Sequence, residues 1–156
     1  MRLKLKKKLS IQVLSRREAI QYCEQRHREE SVIISISDPN MVYDGAPFCS
    51  PENRVTAILP LCFSDADKPG KDVYGLEVEE GDLMRDVDAR NAVRFVRANR
   101  NKLLLVHCDA GISRSAGVAA AIAEYYEGDA RRFFESGQYA PNRWCYSKML
   151  TAFLED

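Results

Sequence analysis

Residues 102–126 contain the feature that most restricts the fold: a buried strand, a short polar loop and an alanine-rich helix follow one another directly. Residues 103–106 are four large apolar side chains between polar neighbours, a pattern typical of a strand buried on both faces of a sheet. Residues 116–126 are rich in alanine and predict a helix. We expect the intervening loop to lie at the carboxyl end of a central strand, where open α/β sheets bind ligands.

The loop between this strand and this helix carries residue types that hold and attack a phosphate. Gly111 permits a positive φ or a close approach of the backbone, and successive backbone N–H groups at a helix N-terminus favour an anion. Arg114 supplies a planar guanidinium that binds two phosphate oxygens. The same positive field favours the nucleophilic thiolate form of Cys108, and Ser115 can donate a hydrogen bond to that sulfur. His107 is expected to orient the loop rather than to act as a base.

The segment from His107 to Ser115, HCDAGISRS, resembles the HCxxGxxRS signature of the cysteine-dependent protein tyrosine phosphatases. Its position late in a short chain is similar to that in the compact dual-specificity phosphatases. The Pro141-Asn142 turn before an apolar helix, and residues 58–65, also resemble parts of these proteins. The resemblance covers roughly residues 30–156 and is strongest at 102–117. It implies an α/β fold in which a central, mostly parallel sheet is flanked by helices.

The resemblance also implies a phosphate-monoester hydrolase that works through a cysteinyl-phosphate intermediate. Its catalytic residues would be Cys108, Arg114, Asp65 and Ser115, with His107 in support. The phosphate-binding residues would be Asp109, Ala110, Gly111, Ile112, Ser113 and Arg114.

The general acid is the least constrained of these assignments. Asp65 follows a predicted strand at the offset where the resembled phosphatases place their acid, which makes it the first candidate. Asp67 is the second. The segment between Asp65 and Cys108 is longer than compact members usually have, so we expect the acid-bearing loop to be extended. Other carboxylates remain open, namely Asp38, Asp82 and Asp109.

The substrate is less constrained than the reaction. A phosphorylated protein or peptide is the expected partner, with phosphotyrosine favoured because Asp109 adds negative charge beside the nucleophile and Ile112 is neutral. Strict tyrosine specificity and dual specificity both remain open. The alternative on the same scaffold is a phosphoinositide or RNA 5′-phosphatase. Two alternatives from other functional classes are a sulfurtransferase and a catalytically silent phosphate-binding module. Three aromatic residues are either walls for the substrate ring or ordinary packing residues: Tyr43, Phe48 and Phe63.

Composition limits the remaining possibilities. The 156 residues carry 23 basic and 23 acidic side chains, so bulk charge points to neither nucleic acid nor a membrane as partner, and the length suits a single domain over residues 1–156. The five cysteines are scattered without metal-binding spacing, which argues against a disulfide framework or a zinc site and favours a reducing, cytoplasmic location. No stretch has the pattern of a membrane span or a secretory signal.

We expect no metal or cofactor, since Arg114 and the loop amides can stabilise the negative charge of the transferred phosphoryl group. Cys62 is either an oxidation partner of Cys108 or a structural thiol.

Hydrophobic patterning and caps predict the other elements. Residues 15–18 form a capping box that opens a helix reaching about residue 25, and Gly128 is a plausible end for the alanine-rich helix. The basic residues 1–8 predict an exposed strand edge or an arm. Further strands are predicted at 9–14, 32–36 and 55–61, and further helices at 82–99, 129–136 and 142–154.

Overall fold

The computed structural model describes residues 9–72 and 74–155, so the predicted N-terminal arm lies outside the described residues. The strands are β1 (Ile11–Leu14), β2 (Ser31–Ser37), β3 (Val55–Cys62), β4 (Gly70–Lys71), β5 (Glu77–Val78) and β6 (Leu103–His107). Four of them form the central sheet in the order β1-β6-β2-β3, and every neighbouring pair is parallel. Strands β4 and β5 form a separate antiparallel hairpin.

Helices cover both faces of the sheet, as the sequence predicts. They are α1 (Arg16–Cys23), α2 (Asp86–Ala98), α3 (Arg114–Glu127), α4 (Arg131–Phe134) and α5 (Arg143–Glu155). Alternate residues of β2 and β6, such as Ile34 and Val106, pack against α2, α3 and α5, whereas Ile33 and Leu105 belong to the cluster that contains Cys23 of α1. Because successive strand residues point to opposite faces, both faces of these strands are buried. This confirms the predicted α/β fold.

Local signals place the first and third helices. The Ser15 hydroxyl accepts a hydrogen bond from the Glu18 N–H, and the Glu18 carboxylate accepts one from the Ser15 N–H, so the predicted capping box forms. Helix α3 ends at Gly128, which adopts a left-handed φ of 70°. It begins at Arg114 rather than at the predicted residue 116, so Arg114 and Ser115 belong to its first turn.

The segment between β3 and α2 departs most from prediction. Helix α2 begins at Asp86 instead of residue 82, because Asp88 accepts the Arg85 N–H and caps the helix there. A short 3₁₀ turn, Glu80–Asp82, precedes it. The β4–β5 hairpin was also not predicted, since its two-residue strands carry no periodic signal. Within the described chain, no helix is long and apolar enough to cross a membrane.

Candidate active site

The loop of residues 108–113, here called the cysteine loop, joins the carboxyl end of β6 to α3. Gly111 has a φ of 72°, and a Cβ at this position would lie 2.6 Å from the Ser15 nitrogen. Any other residue would therefore meet both an unfavourable conformation and a backbone collision. The Arg16 N–H donates to the Asp109 carbonyl at 3.1 Å, so the start of α1 holds the loop from behind.

The Cys108 sulfur is directed into the cysteine loop and is surrounded by hydrogen-bond donors. The residue is 2% exposed. Its Sγ accepts the Gly111 N–H at 3.3 Å and lies 3.1 Å from the Ser115 Oγ. When the sulfur is a thiolate, Ser115 is the donor of that second contact. Donors directed at a sulfur stabilise its charged, nucleophilic form.

His107 is fully buried beneath the loop. Its Nδ1 lies 3.1 Å from the Cys108 carbonyl oxygen, and its Nε2 lies 2.6 Å from the Ser35 Oγ. A carbonyl only accepts, so Nδ1 carries the hydrogen and Nε2 accepts the Ser35 hydroxyl. Burial lowers the pKa of His107 to about 4, which leaves the ring neutral near pH 7. The geometry suits a residue that positions Cys108, and the supporting role of His107 stays a prediction.

Arg114 is held firmly by its outer nitrogen. Its Nη1 donates to the Phe63 carbonyl at 2.9 Å and lies 2.7 Å from the Asp38 Oδ1. The side chain is only 5% exposed, and its buried Nε has no hydrogen-bond partner. Unsatisfied buried donors are rare in native proteins, and this one belongs to a guanidinium that lines the cavity. The guanidinium is thus fixed at the wall of the cavity.

Asp38 is a functional candidate whose place the sequence reasoning missed. The sequence indicates only a possible acid at this position, but in the structure Asp38 pairs with Arg114, and its Oδ2 accepts the Tyr43 hydroxyl at 2.7 Å. The Arg16 guanidinium in turn lies over the Tyr43 ring, with its Cζ 3.5 Å from the ring centroid. Asp38 thus orients Arg114. Asp38 directly follows β2, which neighbours the central strand β6. This position at the carboxyl end of the sheet is the sequence signal that indicates a site residue.

The two leading candidates for the acid have different surroundings. The Asp65 Oδ1 accepts the Ser113 hydroxyl at 2.7 Å and the Asn142 side-chain amide at 2.9 Å, and Asp65 lines the same cavity as Cys108. The Asp67 Oδ1 accepts the Arg143 N–H at 2.8 Å at the start of α5 and does not line that cavity. The geometry therefore favours Asp65. Asp82 and Asp109 also line the cavity, and both are exposed.

Asn142 links the loop of residues 63–69, here called the acid loop, to the cysteine loop. Besides its bond to Asp65, its side-chain amide donates to the Ala66 carbonyl at 3.0 Å. Its backbone N–H donates to the Ser113 carbonyl at 2.9 Å. From the sequence, the Pro141-Asn142 turn is identified only by its resemblance to the compact phosphatases, and no functional role for Asn142 follows from it. A Cβ on Gly117 of α3 would collide with the Asn142 carbonyl oxygen, so this approach requires glycine.

These residues open onto a cavity of about 760 Å³. Its apolar walls are formed by Met41, Tyr74, Leu76 and Ile112 instead of the three aromatic residues named from the sequence. Those three pack elsewhere: Phe63 is buried in the core, Tyr43 lies against Arg16, and Phe48 is outside the cavity.

Cys62 does not come into the cavity. It is exposed at the end of β3 and is not among the lining residues, so nothing in the geometry favours a linkage to Cys108. Among residues 9–72 and 74–155, no three side chains of metal-binding type form a cluster.

No protein-family model matches the sequence, and no curated protein matches it significantly. Solved structures do resemble it. A variant of human DUSP28 aligns with a TM-score of 0.60 and 18% identity, over 95% of this chain and 92% of that one. The human tyrosine phosphatase-like serine/threonine/tyrosine-interacting protein aligns with a TM-score of 0.52 and 19% identity, over 81% of this chain and 78% of that one. PTPMT1 aligns with a TM-score of 0.50 and 17% identity, over 94% of this chain and 90% of that one. The chain therefore has the compact fold of the dual-specificity-type phosphatases.

Proposed function

We propose that this protein is a cysteine-dependent phosphate-monoester hydrolase whose preferred substrate is phosphotyrosine in a protein or peptide. One observation carries the proposal. The Cys108 sulfur lies between the Gly111 N–H and the Ser115 hydroxyl, in a cavity shared with a carboxylate and with an arginine that has an unpartnered buried Nε. The similarity in fold supports the proposal, and the chemistry rests on these residues.

The reaction proceeds in two displacements at phosphorus. The backbone amides of residues 109–114 and the Arg114 guanidinium hold the phosphate oxygens, and the Cys108 thiolate attacks in line. The bond from phosphorus to the leaving oxygen breaks as Asp65 donates its proton to that oxygen. Asp65, now ionised, takes a proton from a water that attacks the phosphocysteine. The sulfur–phosphorus bond breaks, inorganic phosphate leaves, and Ser115 donates to the departing thiolate.

The charge and shape of the cavity support phosphotyrosine over polyanionic esters. Asp82 and Asp109 line the cavity, and Arg114 is the one basic side chain of its described lining. A phosphoinositide or an RNA 5′-triphosphate brings several negative charges, which this lining repels. Tyr74 and Ile112 offer exposed apolar surface that suits a phenyl ring.

Hydrolysis of an aryl phosphate tests the proposed activity. We expect the wild-type protein to release phosphate with a chelator present, and the Cys108→Ser variant to lose turnover while still binding vanadate or phosphate. Binding without hydrolysis by the wild-type protein would indicate a silent phosphate-binding module. Transfer of sulfur from thiosulfate to cyanide, in place of phosphate release, would indicate a sulfurtransferase.

A further inference from the structure

The cavity lining is strongly acidic. Its exposed or half-buried outer side chains are here called the rim: Met41, Asp72, Tyr74, Leu76, Asp82, Asp109 and Ile112. The aspartates that line the cavity are Asp38, Asp65, Asp72, Asp82 and Asp109. Asp38 is neutralised by Arg114, and Asp65 is engaged by Ser113 and Asn142. The ion pairs formed by the described residues include no cationic partner for the other three. Unpaired like charges around a cleft concentrate cations there.

The structure fixes two of these rim carboxylates in place. The Asp72 Oδ1 accepts the N–H groups of Tyr74 and Leu76, each at 2.9 Å, within the turn of the β4–β5 hairpin. The Asp82 Oδ2 accepts the Glu79 N–H at 2.9 Å in the 3₁₀ turn. Each carboxylate is therefore held by the backbone before any ligand arrives, which lowers the ordering cost of an ion pair with a bound cation.

Exposed apolar side chains stand beside these carboxylates. Met41 is 57% exposed, Tyr74 83%, Leu76 65% and Ile112 47%, and all four line the cavity. They come from three separate segments: the loop after β2, the hairpin turn and the cysteine loop. Apolar surface that combines with carboxylates suits lysine and arginine, whose aliphatic stems pack on apolar groups while their charged ends reach acidic ones.

We propose that the rim selects phosphotyrosine segments in which lysine or arginine flanks the phosphorylated residue. The flanking cation meets Asp72, Asp82 and Asp109, and its stem lies on the apolar side chains of the rim. Below it, the buried lining residues Cys108 and Arg114 mark the place of the phosphate. The cavity thus receives an anion at its base and a cation at its rim. This inference rests on the proposed phosphatase activity and adds the sequence context of its substrate.

The choice of variants follows from the neighbouring surface. A second cleft contains Lys68 and Lys71 and shares Asp72 with the cavity, so Asp72 alone is an imperfect probe. Asp82→Asn is cleaner, because the asparagine oxygen can still accept the Glu79 N–H while the charge is lost. Glu77→Gln is the matched control: it removes one charge from an exposed residue of β5, near the 3₁₀ turn in sequence but outside the cavity lining.

The test compares kcat/KM for phosphotyrosine peptides that differ only in having lysine, alanine or glutamate beside the phosphotyrosine. We expect the wild-type protein to prefer the lysine peptide over the glutamate peptide by roughly tenfold at low salt, and less as salt rises. Asp82→Asn should reduce this preference by about twofold to fivefold, and the double variant with Asp72→Asn should reduce it further. The preference is the ratio of the rates on the lysine and glutamate peptides within one variant, so a general change in turnover cancels from it. Glu77→Gln should keep the full preference.

Two results would overturn the inference while leaving the proposed function intact: equal rates on the three peptides, or an equal loss of preference in Glu77→Gln. Faster hydrolysis of a short-chain phosphoinositide or an RNA 5′-triphosphate than of the lysine peptide would overturn both the inference and the phosphotyrosine preference, while leaving the hydrolase activity itself. Failure to hydrolyse the aryl phosphate would instead contradict the activity itself. Direct binding of the same peptides to the Cys108→Ser variant then tests the flanking preference without turnover, and equal affinities would reject it.

Discussion

At the scale of single residues, two carboxylates only two positions apart have different hydrogen-bond partners. Asp65 accepts hydrogen bonds from Ser113 and Asn142 at the cavity, whereas Asp67 accepts the Arg143 N–H at the start of α5. Asp65→Asn should reduce kcat by about a hundredfold or more for esters with poor leaving groups, and far less for those with good ones, because the proton for the leaving oxygen is lost. Steady-state rates over a series of aryl phosphates measure this dependence.

Asp67→Asn is the matched variant for that series. An asparagine oxygen can still cap α5, so we expect rates close to those of the wild-type protein and no dependence on the leaving group. If the leaving-group effect instead appears in Asp67→Asn and not in Asp65→Asn, the acid has been assigned to the wrong carboxylate.

His107 should make stability depend on pH. Burial lowers the pKa of His107 to about 4 from 6.5. Between these values the unfolded chain binds a proton that the native protein excludes, so the free energy of unfolding falls as pH falls. We expect this histidine to account for a loss of about 2 kcal/mol between pH 7 and pH 5. Urea unfolding at the two pH values measures it.

A variant without the buried imidazole provides the control for this measurement. His107→Asn should show a smaller loss of stability between pH 7 and pH 5 than the wild-type protein. The same pH dependence in the two proteins would contradict the buried, neutral state of His107.

Residues of the site differ in how far the sequence reveals them. Cys108, Arg114 and Ser115 lie within one short loop and helix turn, so their spacing alone predicts that they meet. Asp38 and Asn142 reach the site from distant segments, and their partners Arg114 and Asp65 lie 76 and 77 positions away. Their roles depend on the order of the strands and on the packing of α5, which local patterns do not specify.

At the scale of elements, α3, the acid loop and the turn before α5 meet at one close contact. A Cβ on Gly117 would collide with the Asn142 carbonyl. Gly117→Ala should therefore push this turn away and destabilise the protein by about 1–3 kcal/mol. It should also lower kcat, because Asn142 holds Asp65. Urea unfolding and aryl phosphate hydrolysis measure the two effects.

Gly81→Ala is the comparison for that variant, since an added Cβ there meets nothing within 4 Å. It should leave both stability and kcat nearly unchanged. Full activity and stability in Gly117→Ala would show that the turn before α5 does not require this close approach.

Elements with strong periodicity or caps were predictable, and those between them were not. The continuous apolar runs of β2 and β6 and the Ser15 capping box gave the correct elements. The β4–β5 hairpin and the 3₁₀ turn are short and polar. Their conformations depend on side-chain caps such as Asp72 and on contacts such as the Ser64 N–H donating to the Asp82 carbonyl at 2.7 Å. The rim of the cavity is built largely from this unpredicted segment.

At the scale of the whole molecule, one core connects the sheet with α2, α3 and α5. We expect residues 1–156 to unfold as one domain in a single cooperative transition. The single tryptophan, Trp144 on α5, donates from its Nε1 to the Met84 carbonyl at 2.9 Å and reports on this packing. Its fluorescence and the far-UV circular dichroism should give coincident urea midpoints, whereas an earlier fluorescence change would show that α5 unfolds separately.

The central claim is that Cys108 becomes phosphorylated during turnover. Mass spectrometry of the protein quenched in acid during hydrolysis of an aryl phosphate tests it directly. We expect one phosphoryl group on the peptide that contains Cys108, and none on the same peptide of the Cys108→Ser variant, which does not turn over. Sustained hydrolysis by Cys108→Ser, or sulfur added to Cys108 from thiosulfate without any phosphoryl transfer, would contradict it.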